Sequence, residues 1–218
     1  MATLDDIKTL RERTGAGILD CKKALQESGG DLDKAVDWLR AKGLAASAKK
    51  AGRIAAEGLV LSYIHGGGRI GVLIEVNCET DFAARTETFQ TLVRELGLQI
   101  AAHSPEWVSV EDVPAAAVEK ERAVQRSRVL EEGKPEAVAD RIVEGRLQKW
   151  YQEVCLLEQN WFRDESKTIR DLVGEAVGSI GENIKVRRFV RWAVGEGLEK
   201  RQDDFASEVA AQAQQART

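Results

Sequence analysis

Cysteine, histidine and proline are scarce in this chain of 218 residues, at three, two and three respectively. Cys21, Cys78 and Cys155 are widely spaced and form no Cys-x-x-Cys. That excludes a disulfide framework and a cysteine zinc site, and it suits a reducing, cytoplasmic setting. His65 and His103 make no helical metal-ligand pair, and neither stands near a cysteine in a nucleophile motif, so no metal or cofactor is expected. No window approaches the roughly 18 apolar residues of a membrane span. The start, Met1-Ala2-Thr3-Leu4-Asp5-Asp6, reads as neither a signal nor a transit peptide. A basic excess is missing too: Lys+Arg 32 against Asp+Glu 36 gives a net charge of −4, which argues against nucleic acid as the main partner. What remains is a chain 43% hydrophobic and 31% charged, the balance of one or two folded domains.

The first fifty residues read as three short helices. Thr3 caps a helix carrying Leu4, Ile7 and Leu10, and Thr14-Gly15-Ala16-Gly17 breaks it. Ile18, Cys21 and Leu25 stripe the second helix, which ends in Ser28-Gly29-Gly30. Asp31 caps the third, with Leu32, Val36 and Leu39 on one face and Gly43 closing it. These patterns define an N-terminal module over residues 1–45 and a small, basic linker over 46–56. Residues 57–197 then read as an α+β core domain. Leu59 to Ile64 and Ile70 to Val76 are strands about the turn His65-Gly66-Gly67-Gly68-Arg69. A helix carries Phe89, Leu92, Val93, Leu96 and Ile100. Pro114 opens another that runs to Glu132-Gly133, and Pro135 at N1 starts a third through Val138, Ile142 and Trp150. Residues 169–180 form the cleanest helix, stopped by Gly181. An alternating strand follows, predicted to place Ile184, Val186, Val190, Trp192 and Val194 on one face. Residues 198–218 read as a C-terminal helical module, with Phe205 and Val209 four apart.

Few residues carry chemistry. The triple glycine at 66–68 precedes a strand and lacks the lysine of a phosphate loop, so a hairpin turn is the reading. Cys21 and Cys78 read as small buried apolar residues. The basic run Lys185, Arg187, Arg188 and Arg191 reads as a solvated strand face. Cys78 with His65 is the pairing an enzymatic reading would need, and no motif supports it. One segment stands out: Thr80-Asp81-Phe82-Ala83 follows the second strand and sets a carboxylate directly beside a large aromatic. Thr80 or Asp81 can cap the next helix. Phe82 either folds into the core, the preference on pattern alone, or projects as an anchor into a partner's pocket.

Several long segments, in order, resemble the elongation factor Ts family, the guanine-nucleotide exchange factors of elongation factor Tu. Leu10-Arg11-Glu12-Arg13-Thr14-Gly15-Ala16-Gly17 with Asp20-Cys21-Lys22-Lys23-Ala24-Leu25 is similar to its N-terminal signature. Glu75-Val76-Asn77-Cys78-Glu79-Thr80-Asp81-Phe82 is similar to its central one. Gly181-Glu182-Asn183-Ile184, Arg187-Arg188-Phe189-Val190-Arg191 and Asp204-Phe205-Ala206-Ser207-Glu208-Val209-Ala210 resemble its closing strand and C-terminal module. Ala83 stands where the family often has Val. The resemblance implies a non-enzymatic translation factor with an N-terminal module like a ubiquitin-associated three-helix bundle. It implies partner contacts through Arg11, Arg13, Thr14 and Gly15, through Thr80, Asp81, Phe82 and Ala83, and through Phe205 and Val209. Phe82 would be the wedge that loosens the partner's Mg²⁺ and phosphate site. A short form with one core unit and no coiled-coil insertion is expected. The resemblance leaves open whether a monomer or a homodimer in a two-to-two complex is the working unit. An adaptor that binds a partner without exchange activity is the rival reading.

Overall fold

The computed structural model describes residues 3–199. The expected C-terminal helix, with Phe205 and Val209, lies outside the described residues. At the N-terminus, α1 (Leu4–Thr14) opens with a reciprocal cap in which Thr3 and Asp6 satisfy each other's backbone N–H. Next come α2 (Ile18–Glu27) and α3 (Leu32–Lys50), the latter capped by Asp31. Leu10, Cys21, Ala24, Leu25 and Ala35 form their small shared core. Ile18 is not part of it: the stripe of α2 is Cys21, Ala24 and Leu25, and Ile18, one turn earlier at the helix start, stays exposed. Gly43 does not end α3. The helix runs on to Lys50 through part of the expected linker, because Gly43 packs against another helix and the following Ala-rich stretch propagates readily.

The core begins with β1 (Glu57–His65) and β2 (Ile70–Cys78), paired antiparallel about the glycine turn. A single turn of helix, α4 (Asp81–Ala84), leads into α5 (Glu87–His103), capped by Thr86. Two charge-rich helices follow, α6 (Ala115–Glu131) and α7 (Glu136–Val154). Pro135 is the residue before α7 rather than its first. The two helices expected after Pro114 and Pro135 are both present, and α6 and α7 fold back on each other around Val129, Ala139, Val143 and Leu147. Arg122 pairs with Glu144 and Arg146 with Glu132 across them. This apolar seam is too short to register as a sustained heptad. A small hairpin of β3 (Asn160–Trp161) and β4 (Asp164–Thr168), not foreseen from the sequence, precedes α8 (Ile169–Ile180), and β5 (Lys185–Ala193) is the last element among the described residues.

The main sheet has the order β1-β2-β5, all antiparallel. Its inner face, with Val72, Ile74 and Val76, meets Phe89, Val93, Leu96 and Ile100 of α5 and Ile169, Val173 and Val177 of α8. The strict alternation expected along β5 fails. Val76 pairs with Val186 but Glu75 pairs with Arg188, so Arg187 is an extra residue and the strand bulges there. Ile184 and Val186 face the core, whereas Val190 and Trp192 face outward and Phe189 turns in. None of the described helices is long and apolar enough to cross a membrane.

Candidate functional site

The Thr80–Ala83 segment sits where β2 leaves the sheet. Thr80 is extended, and its hydroxyl accepts the Ala83 N–H at 3.2 Å, which caps α4. Ala83 and Ala84 are buried in the core, so α4 is anchored on that side. Of the expected contact residues here, Ala83 is therefore an anchor rather than exposed surface. Phe82 projects outward and is 77% exposed, the opposite of the burial that pattern alone favoured. Asp81 is paired with Arg85 one turn on, at 2.9 Å.

The stem of this tip is fixed from the far end of the chain. The Glu182 carboxylate accepts the N–H groups of Glu79 (3.1 Å) and Thr80 (3.0 Å) and the Thr80 hydroxyl (2.6 Å). In return Glu79 accepts the Asn183 N–H at 2.6 Å, and the Asn183 amide donates to the Arg53 carbonyl at 2.8 Å. Cys78 donates its Sγ–H to the Thr80 carbonyl at 3.1 Å. Burial, and then the Glu182 charge, push the Cys78 thiol up, so this sulfur is a packing group and not a nucleophile. His65 lies at the other end of the hairpin, about 26 Å away at ~3.3 Å per strand residue, too far to act on it.

The other expected residues divide by role. Thr14 donates its hydroxyl to the Leu10 carbonyl at 2.7 Å, and Gly15 ends α1 with φ +67°, so both shape the α1–α2 turn. The Gly15 carbonyl also accepts from the Ser179 hydroxyl of α8 at 3.3 Å. Arg13 pairs with Asp33 at 3.0 Å, and Arg11 is exposed. Next to that turn stand two apolar side chains not foreseen as contacts, Ile18 and Leu19, the latter 81% exposed. A second apolar surface is the outer face of the sheet. Val60, Leu73 and Trp192 are exposed there around the Glu75–Arg188 pair. The bulge at Arg187 sent Trp192 outward, which alternation could not reveal.

Comparison with known proteins settles what kind of chain carries this tip. The family model described as Elongation factor TS matches residues 45–196. The chain belongs to the elongation factor Ts family. Elongation factor Ts of Desulforamulus reducens is 61% identical over 206 residues, covering 94% of this chain and 95% of its own. Those of Heliobacterium modesticaldum and Carboxydothermus hydrogenoformans are each 58% identical, over 97% of this chain and 99% and 97% of theirs. As a member of the elongation factor Ts family the chain is a translation elongation factor, and the tip at Phe82 lies inside the matched region.

Proposed function

We propose that this chain binds elongation factor Tu in its GDP-bound and nucleotide-free forms and speeds the release of GDP, with Phe82 as the wedge. The observation that carries the reading is a large aromatic left 77% exposed on a stem held by hydrogen bonds from residues a hundred positions away. An exposed phenylalanine on a clamped stem is suited to entering an apolar gap in a partner. Displacing elements around the partner's Mg²⁺ weakens nucleotide retention, since that ion bridges phosphate oxygens to protein. Bond chemistry is not required of the chain itself. The coupling is reciprocal: a factor that weakens GDP binding is itself bound more weakly by the GDP form. Release accelerated about a thousandfold corresponds to about 4 kcal/mol of barrier, within reach of a few desolvated contacts.

Three further surfaces fit such a partner. The exposed Arg11, Arg13, Ile18 and Leu19, which flank the turn that Thr14 and Gly15 shape, would supply the contact patch of the N-terminal module. The outer sheet face at Val60, Leu73 and Trp192 is suited to a second domain of the partner. Phe205 and Val209 supply a third contact on sequence grounds. The test is GDP release from elongation factor Tu by stopped flow at saturating factor. Phe82→Ala is expected to stay folded, to bind more weakly by ~2–4 kcal/mol as truncated interface anchors do, and to release GDP slowly even at saturation. Full release by the folded, saturating variant would overturn the wedge and favour a plain adaptor.

A further inference from the structure

Gly181 ends α8 with φ +86°, a backbone region that favours glycine, and the reversal turns the next residue, Glu182, back toward the exit of β2. There the carboxylate meets three donors, the Glu79 and Thr80 N–H groups and the Thr80 hydroxyl, at 2.6 to 3.1 Å. Glu79 answers by accepting the Asn183 N–H at 2.6 Å. Two loops about a hundred residues apart thus each hold the other's backbone with a carboxylate, and charge-assisted hydrogen bonds of this kind are the stronger class. The clasp secures the residue that caps α4, and α4 is a single turn carrying Phe82. Below it, Asn183 ties the clasp to the Arg53 carbonyl, in the segment that joins α3 to β1.

We infer that Glu182 is a positioning residue for the exchange reaction: by gripping Thr80 it fixes the direction and stiffness with which Phe82 meets the partner. This rests on Phe82 being the wedge. A side chain that must displace packed elements of another protein meets resistance, and a stem free to pivot yields before the partner does. Contacts made after pivoting still contribute to association but no longer to displacement. Losing the grip therefore lowers the maximal release rate more than the affinity, because the N-terminal patch and the sheet face are untouched.

The experiment compares Glu182→Ala, Glu182→Gln and Phe82→Ala in the full chain. Each is measured for GDP release from elongation factor Tu against factor concentration and for thermal melting. Glu182→Ala is expected to lower the saturating rate by about ten- to a hundredfold, the range for a working group displaced by about 1 Å. The concentration for half-maximal effect should change only a few-fold. Glu182→Gln keeps the shape but can accept on one side only, so it falls between and covers the case in which the alanine variant fails to fold. A nitroxide on Phe82→Cys gives a readout free of the partner: its spectrum should sharpen when Glu182 is removed. A normal saturating rate for a folded Glu182 variant, or an unchanged nitroxide spectrum, overturns the inference. If Phe82→Ala itself exchanges normally, the wedge falls and this inference with it. Slow Phe82→Ala beside normal Glu182→Ala removes the positioning role alone.

Discussion

Glu75 takes hydrogen bonds from both Arg187 and Arg188 at 2.7 Å, and these hold its carboxyl below the usual carboxylate range. A carboxylate whose folded pKa is lowered adds stability that is fully present above its ordinary value, near 4.5, and is lost as pH falls through the folded value. Glu75→Gln should therefore melt below the unmodified chain at pH 7, with the gap closing as pH drops from the ordinary value near 4.5 through the lower folded value. Thermal melts across that range check it, and a gap that persists in acid would show that packing, not charge, is responsible. The effect is modest, because both guanidinium groups are largely exposed. The basic run reads as a solvated face, and Lys185, Arg187 and Arg188 are exposed; what the sequence hid is the carboxylate that the two arginines share, more than a hundred residues away. Two of the thiols were legible, since Cys21 and Cys78 are buried as expected; Cys155 is buried as well, and burial pushes it up to about 12. The exposed Phe82 was legible only as an oddity, since pattern cannot say which way a side chain turns at the end of a strand.

Between elements, the crossing of α3 over α8 is the feature that sequence concealed most. A glycine reads as a helix stop, yet Gly43 lies inside α3, where a Cβ would stand 2.9 Å from the Gly174 carbonyl oxygen. Backbone sets that distance, so Gly43→Ala forces the helices apart and should cost about 1–3 kcal/mol, as overpacking does. At Gly174 the nearest atom is the Leu44 Cδ2 at 3.3 Å, which can give, and the gain in helix propensity, up to ~1 kcal/mol, offsets the crowding. At Gly178 the added carbon would meet Gly43 at an ordinary 3.6 Å, so alanine there should stabilise by about 0.5–1 kcal/mol. Melting temperatures should thus fall in the order Gly178→Ala, unmodified, Gly43→Ala, with Gly174→Ala close to unmodified. Equal losses at all three would mean that the crossing is not set by backbone approach. The strands and the helices at 87–103 and 169–180 followed their periodicity closely. The bulge in β5 and the hairpin at 160–168 did not, for both depend on pairing rather than on local pattern.

At the scale of the molecule, α3 belongs to two bodies. Its first half packs with α1 and α2 through Ala35, Val36, Trp38 and Leu39. Its second half lies on α8, where Lys50 donates to the Val177 carbonyl at 3.4 Å, and at mid-helix Arg40 donates to the Ser166 carbonyl of β4 at 3.1 Å. The N-terminal patch is thereby carried on a helix braced against the same α8 whose C-terminal turn presents Glu182. Removing residues 1–50 takes away both the patch and the cover of α8, so any loss of function would mix docking with stability. Removing residues 1–30 takes away α1, α2 and the patch but leaves the α3–α8 contact. The shorter deletion should retain a melting transition near that of the full chain, less what is lost by uncovering Trp38 and Leu39. The longer one should melt markedly lower, since it uncovers the glycine face of α8 at Gly174 and Gly178, against which Gly43 packs. If the module serves docking, the shorter deletion should also weaken association with elongation factor Tu in calorimetry while reaching the full GDP release rate at saturation, because the Phe82 tip and its clasp are intact. A lowered saturating rate would instead make the module part of the displacement step, and unchanged affinity would end its docking role.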